Sequence, residues 1–393
     1  MKTLAGLLIC ATLLTAGTDS AFAAEKAKRH PGVEAAETLS TITGVAISPL
    51  LGVGALGAYE YFKTPAENRA NLHWYAQPWF WVTALLLVAL VAAKDVFGTA
   101  APTALKKPFD VAEAMENKFS GMLAAGTFVP FMVTIFPEAT EQTTAALNHA
   151  GFAAITISDI GNWLMVPFAI AIFLVVWLAS HAINILIIIS PFTTVDAALK
   201  SLRLSVLGLV TITAWMNPWL GALFSAIVVL FAWLIAGWAF RLLVLGSVFS
   251  WDFFTLRRHR FLPVANGNWM FASRAIEDMP VRSYGKLFSD LTGKRLFEYR
   301  PWLVLPKRTL DLPPGDYAVG QGLLYPEVMR VDGEDSKTLF ILPPRYKGHE
   351  ADLAKACTIS EIRDVGFRKG LKSIGRAMKC LFGVGQKQLP APA

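Results

Sequence analysis

The sequence predicts an all-α polytopic membrane domain with broken or re-entrant helices, followed by a small α+β C-terminal domain. Three observations predict it. Of 393 residues, 54% are hydrophobic and only 17% charged, whereas a soluble chain is closer to a quarter charged. The apolar excess lies before residue 253, in blocks long enough to cross a bilayer, which takes about 20 apolar residues as helix. From Trp251 onward the composition changes: 23 Lys and Arg face 15 Asp and Glu, and short strand-like runs follow one another. The expected division is 1–23 signal peptide, 24–38 polar lead-in, 39–252 helical membrane domain and 253–393 basic domain.

The opening "MKTLAGLLICATLLTAGTDSAFA" has a positive Lys2, a short apolar stretch and a small-x-small site at Ala21-Phe22-Ala23, the pattern of a cleaved secretory signal. Cys10 follows the large Ile9, which argues against lipidation. Cys357 and Cys380 lie in no CxxC or Cys/His cluster, so neither a disulfide framework nor a structural zinc site is expected.

Block 39–62, "LSTITGVAISPLLGVGALGAYEYF", is rich in small residues and broken at Pro49. The loop ending in "HWYAQPWFW" has the aromatic density of a headgroup boundary. Blocks 78–96, 119–136 and 163–189 read as plain crossings. Residues 193–203 read as a short amphipathic connector. A run without charge then extends from Leu204 to Phe240, interrupted at Asn217-Pro218. Proline lacks an N–H and clashes with the preceding turn, so the helix stops or kinks there. In lipid the freed carbonyls need partners, so both breaks are expected to be sheltered by other helices. "SPLLG" at 48–52 and "NPWLG" at 217–221 share the pattern [Ser/Asn]-Pro-x-Leu-Gly. Paired breaks of this kind mark inverted-repeat transporters. Two unrelated proline kinks would give the same five residues.

Positive charge sets the expected orientation. Residues 138–161 carry no Lys or Arg and are placed outside. Lys106, Lys107, Lys118, Lys200, Arg203, Arg241, Arg257, Arg258 and Arg260 are placed inside. These placements agree if 39–62 and 204–240 each enter and leave on one side. The expected location is the bacterial inner membrane, multi-pass, with the C-terminal domain cytoplasmic.

Ser180, His181 and Asn184 share one helical face, three and four residues apart. They read either as a proton-linked or ligand-contacting site or as a helix–helix hydrogen bond. Pro49, Ser180, His181, Asn184, Asn217 and Pro218 are therefore the candidate pathway residues. No nucleophile, metal or cofactor motif occurs in a suitable setting, so no enzyme activity and no cofactor are expected.

In the C-terminal domain, "RLFEYRPWLVLP", "YAVGQGLLYPEVMRV" and "KTLFILPP" read as strands and "HEADLAKAC" as helix. Residues 360–382 read as a closing amphipathic helix. Its basic side, Arg363, Arg368, Lys369, Lys372, Arg376 and Lys379, is a candidate membrane-surface contact. The alternative is a helix packed on the β-domain with a solvated basic face. The order of strands and closing helix is pleckstrin-homology-like at the level of fold only. The implied partners are the lipid bilayer, anionic headgroups or a cytoplasmic protein, and a second copy of the chain. Dispersed basic residues argue against nucleic acid.

Residues 43–241 resemble a bacterial family of polytopic membrane proteins known as domain of unknown function 4126. The carriers are "TGVAISPLL", Pro78-Trp79 with an acidic exit at Asp95, "SHAINILIIIS" and "NPWLG". The resemblance implies the membrane architecture and no activity or site residue. Two functions are expected from the whole: a transport-like protein with its pathway between the proline-broken segments, or an envelope anchor whose basic domain binds anionic lipid or a partner protein.

Overall fold

The computed structural model describes residues 31–97, 116–122, 124, 157–190, 193–289, 294–322, 325–333, 335–359 and 361–364. The signal peptide, nearly all of the 119–136 crossing, residues 138–156 of the segment without Lys or Arg, and Arg368, Lys369, Lys372, Arg376 and Lys379 lie outside them. The chain divides into two compact units, Met1–Ala236 and Gly237–Ala393. The boundary falls earlier than the change in composition, inside the last long helix.

In the first unit, α1 (Pro31–Ile47) and α2 (Pro49–Lys63) are separated by Ser48 alone. Proline at the first position of α2 fits, because that N–H has no helical partner. Helix α3 (Pro78–Phe97) packs on α2. Between them Tyr75 is fully buried and donates its hydroxyl to Glu60 Oε1 at 2.8 Å. Helix α4 (Ile157–Ile189) packs against α1 and contributes Ile172, Phe173 and Val176 to the core beside Ile42, Val45 and Ala46.

Helix α5 (Thr193–Met216) is continuous. This corrects the separation of a connector, 193–203, from an apolar segment too short to cross. The two are one 24-residue helix, long enough to span. Lys200 and Arg203 conceal this in the sequence, because charges read as a boundary. Helix α6 (Pro218–Phe254) follows after Asn217 alone. Helices α4, α5 and α6 are each long and apolar enough to cross a membrane. Helix α4 is mostly buried, whereas α5 and α6 expose Trp215, Met216, Trp219, Leu223, Phe231 and Leu234. Exposed apolar surface of this extent marks contact with lipid or another apolar surface.

The two breaks share one geometry. At the first, Ser48 N–H donates to Gly44 O and Gly52 N–H to Ser48 O; at the second, Asn217 N–H donates to Thr213 O and Gly221 N–H to Asn217 O. A Cβ placed on Gly52 would lie 2.8 Å from Val45 Cα, and one on Gly221 2.5 Å from Ala214 Cα. Both contacts join residues seven apart, which a straight helix separates by about 10 Å. The chain therefore bends sharply at each break, with the glycine as the contact that permits it, and α1 and α2 also pack on each other. Helices α1 and α5 run antiparallel: Gly44 lies against Leu207 and Ile47 against Arg203, while Ser40 meets Gly221 at the start of α6. The two breaks consequently sit toward opposite ends of this central pair.

In the second unit the described strands form one sheet in the order β4-β3-β2-β1-β7-β6-β5-β8. The strands are β1 (Asn268–Ala272), β2 (Tyr284–Ser289), β3 (Arg295–Tyr299), β4 (Arg308–Asp311), β5 (Asp316–Gln321), β6 (Glu327–Asp332), β7 (Asp335–Ile341) and β8 (Glu361–Asp364). All described pairings are antiparallel except β5 with β8. Met270, Phe297, Val319, Val328, Phe340 and Leu342 form the core under the short helix α7 (Glu350–Ala356), which contributes Leu353. The carboxylate of Asp252 accepts from Arg345 Nε at 2.7 Å, with both side chains buried. Residues 361–364 are strand, a correction to the helix expected from 360. Arg363 pairs with Gly320, because the open edge of β5 offers a ladder that the β-branched Ile362 accepts.

Candidate functional site

Helix α1 ends at Ile47, and its last carbonyls lose their helical donors to Pro49 and the turn. The Ile47 carbonyl is recovered by two side chains. Ser180 Oγ on α4 donates to it at 2.7 Å, and Arg203 Nε on α5 donates at 3.0 Å. Arg203 Nη1 also donates to Asn184 Oδ1 at 3.0 Å. A guanidinium has its donors in a fixed fork, so one arginine holds a backbone acceptor and a side-chain acceptor together. Three helices are thereby joined at one broken end.

Beside this cluster His181 is fully buried. Its Nδ1 lies 3.1 Å from Asn117 Oδ1 in helical segment 116–122, and its ring stacks on Trp177 at 5.4 Å between centroids. A Cβ on Gly121 would fall 2.1 Å from Trp177 Nε1, so glycine is what lets this segment approach α4. Asn117 opposite His181 and Gly121 opposite Trp177 fix an antiparallel crossing. The Nε2 of His181 and the Nδ2 of Asn184 have no hydrogen-bond partner among the described residues, though both are buried. Buried polar atoms left this way cost free energy.

Of the candidate pathway residues, Pro49, Ser180, His181 and Asn184 come together here. Asn217 and Pro218 do not: Asn217 lies 14 positions beyond Arg203, about 20 Å along the helix. Asn217 is exposed, which corrects the expectation that both breaks are sheltered. Its own side chain serves the turn instead, Oδ1 accepting from Trp219 N–H at 2.8 Å as a helix cap does. Arg203 was missed as a site residue. The available signal was its place seven positions after Asp196 and one before a long uncharged run, which read equally well as a topology marker.

Among the described residues, no group of three or more His, Cys, Asp or Glu side chains could hold a metal ion. Arg363, the described member of the candidate membrane-surface set, has its Nε hydrogen-bonded to Glu361 on the same strand. No family model, curated protein or solved structure matches the chain. The resemblance noted from "TGVAISPLL" and "NPWLG" therefore rests on those motifs.

Proposed function

We propose that this chain is a multi-pass protein of the bacterial inner membrane, with a transport-like helical unit and a cytoplasmic C-terminal domain. The observation that carries the reading is the Ile47 carbonyl, freed at the Pro49 break and held by Ser180 and Arg203 beside buried His181. A charged residue midway along a spanning helix is expensive in lipid and is retained where it serves a site. Two breaks with matching hydrogen bonds, at opposite ends of the antiparallel α1–α5 pair, support an inverted-repeat reading, in which substrates bind at discontinuous helices. The pathway is thus assigned to the first break alone. The second shapes the fold. The fixed arginine favours a small anion over a cation, and His181 offers a nearby position for proton exchange. Membership of the family of domain of unknown function 4126 belongs to this proposal.

The test is flux into proteoliposomes loaded with a pH-sensitive dye, under chloride, nitrate or phosphate gradients. Wild type should exceed protein-free vesicles for at least one anion, and Pro49→Ala, His181→Ala and Arg203→Gln should abolish the excess. No excess for any gradient removes the proposal.

A second reading is an anchor whose basic domain binds anionic lipid or a partner protein. It is favoured by exposed Arg257, Arg258 and Arg260 at the end of α6. It predicts that a 237–393 fragment complements a deletion, whereas the transport-like reading predicts that it does not. The pleckstrin-homology-like reading of that domain extends only to its order of strands and helix.

A further inference from the structure

Within the second unit, a cleft of about 70 Å³ lies between α6 and two loops of the sheet, with Arg241, Arg282 and Arg300 among its lining residues. Phe240, Tyr284 and Trp302 supply aromatic walls, and no Asp or Glu is in the lining among the described residues. Arg241 Nε donates to Val281 O at 2.7 Å, which fixes the loop carrying Arg282 against the helix. Arg282 is buried, with its charge felt by the Glu327 carboxylate outside the lining, while Arg300 is exposed. The cleft therefore keeps a positive excess.

The loop 301–306, "PWLVLP", exposes Trp302, Leu303, Val304 and Leu305 in succession, Val304 at 80%. Nothing in the described unit covers them, yet the loop is not slack. Trp302 packs on Phe240 at 5.0 Å and meets α6 at Gly237. Trp302 and Leu303 have φ of 53° and 61°, and Arg282 has φ of 67°. Left-handed backbone at non-glycine residues costs about 1–3 kcal/mol each and is found at ligand clamps. Here three such residues line one cleft.

Position along α6 indicates what the cleft faces. Arg241 is the first charge after the uncharged run, which from Pro218 holds 23 residues, about what one bilayer core takes as helix. Gly237, where Trp302 touches, is one turn nearer the apolar segment. Tryptophan favours that level of a membrane, with arginine just outside it.

We propose that the 301–306 loop inserts into the bilayer surface and that Arg241, Arg282 and Arg300 hold the phosphate of an anionic phospholipid headgroup. The inference rests on α6 spanning a membrane and is independent of any transport. It adds a docking surface to the basic domain at a place other than the 360–382 segment.

The test uses the full chain in vesicles of phosphatidylcholine with or without phosphatidylglycerol. An environment-sensitive dye is placed at Val304→Cys, with Cys10 and Cys380 replaced by Ser. Expected are blue-shifted emission in vesicles and phosphatidylglycerol retained through detergent extraction. Arg300→Gln should weaken retention about fivefold, the effect of one basic residue at an anionic surface. Arg241→Gln should act in the same direction. Inorganic phosphate should not displace the lipid; displacement would reassign the cleft to a free anion and overturn the lipid proposal. Equal retention by both variants, with the dye in water, would also overturn it. Protein washed from the membrane at alkaline pH would instead fail the spanning reading beneath it.

Discussion

Adding one methyl group at three glycines should separate the sharp-bend geometry from ordinary helix behaviour. At Gly221 the new carbon would stand 2.5 Å from Ala214 Cα and 2.8 Å from Ser40 Oγ; at Gly52 it would stand 2.8 Å from Val45 Cα. Carbon atoms in contact prefer roughly 3.5–4.0 Å. Each site therefore needs the arms to separate by about 1 Å, and the obstructing atom is backbone, which no rotamer change can remove. Overpacking of this kind costs about 1–3 kcal/mol. At Gly208, in the middle of α5, a Cβ meets nothing within 4 Å. Alanine there should stabilise by about 1 kcal/mol, its usual advantage over glycine inside a helix. The assay is thermal unfolding of the purified protein in one detergent, followed by intrinsic fluorescence. Gly52→Ala and Gly221→Ala should lower Tm and Gly208→Ala should raise it. If all three raise Tm, the chain is not bent as described, and the common geometry of the two breaks is wrong.

Asp252→Ala should destabilise by about 3–5 kcal/mol because it strands a buried arginine, and adding Arg345→Met should restore much of the loss, read as Tm. Arg203→Lys keeps the charge but not the fork, so it should cost about 1–3 kcal/mol by leaving Ile47 O or Asn184 Oδ1 unmet, read by the same unfolding assay. Burial pushes the Glu327 carboxyl up, against the Thr338 hydrogen bond and the Arg282 charge. The folded state therefore holds that proton longer than the unfolded state, and stability falls as pH rises from the ordinary carboxylate value through the raised one. Glu327→Gln should flatten Tm against pH in that window. Cys357 is buried, and desolvation pushes its thiol up. It should resist maleimide until the sheet unfolds, then react at the rate of a free thiol.

Local chemistry carried much of the architecture. Proline at 49 and 218 announced both breaks, because the missing N–H acts at the residue itself. The Ser180, His181 and Asn184 face followed from helical spacing. What failed to show was anything decided across the chain. Arg203 looked like a membrane boundary because its partners, Ile47 O and Asn184, stand 156 and 19 residues away. Asn217 looked like a residue needing shelter because its capping of Trp219 depends on a rotamer. Strands β1, β2 and β4 went unread since each is short; β1, buried at four of its five positions, shows no alternation to mark it as a strand. Arg363 was placed on a helix because the period of the segment cannot reveal that β5 has a vacant edge.

The single residue joining each pair of arms limits how the helical unit can move. Ser48 and Asn217 each hydrogen-bond in both directions, so neither turn holds spare chain that could be fed from one arm to the other. Sliding of α1 past α2, or α5 past α6, would break those bonds at once. Tilting of a whole pair would leave them intact. Any displacement within this unit is therefore a movement of whole helix pairs, with the Arg203 hydrogen bond to the Ile47 carbonyl as the link between α1 and α5.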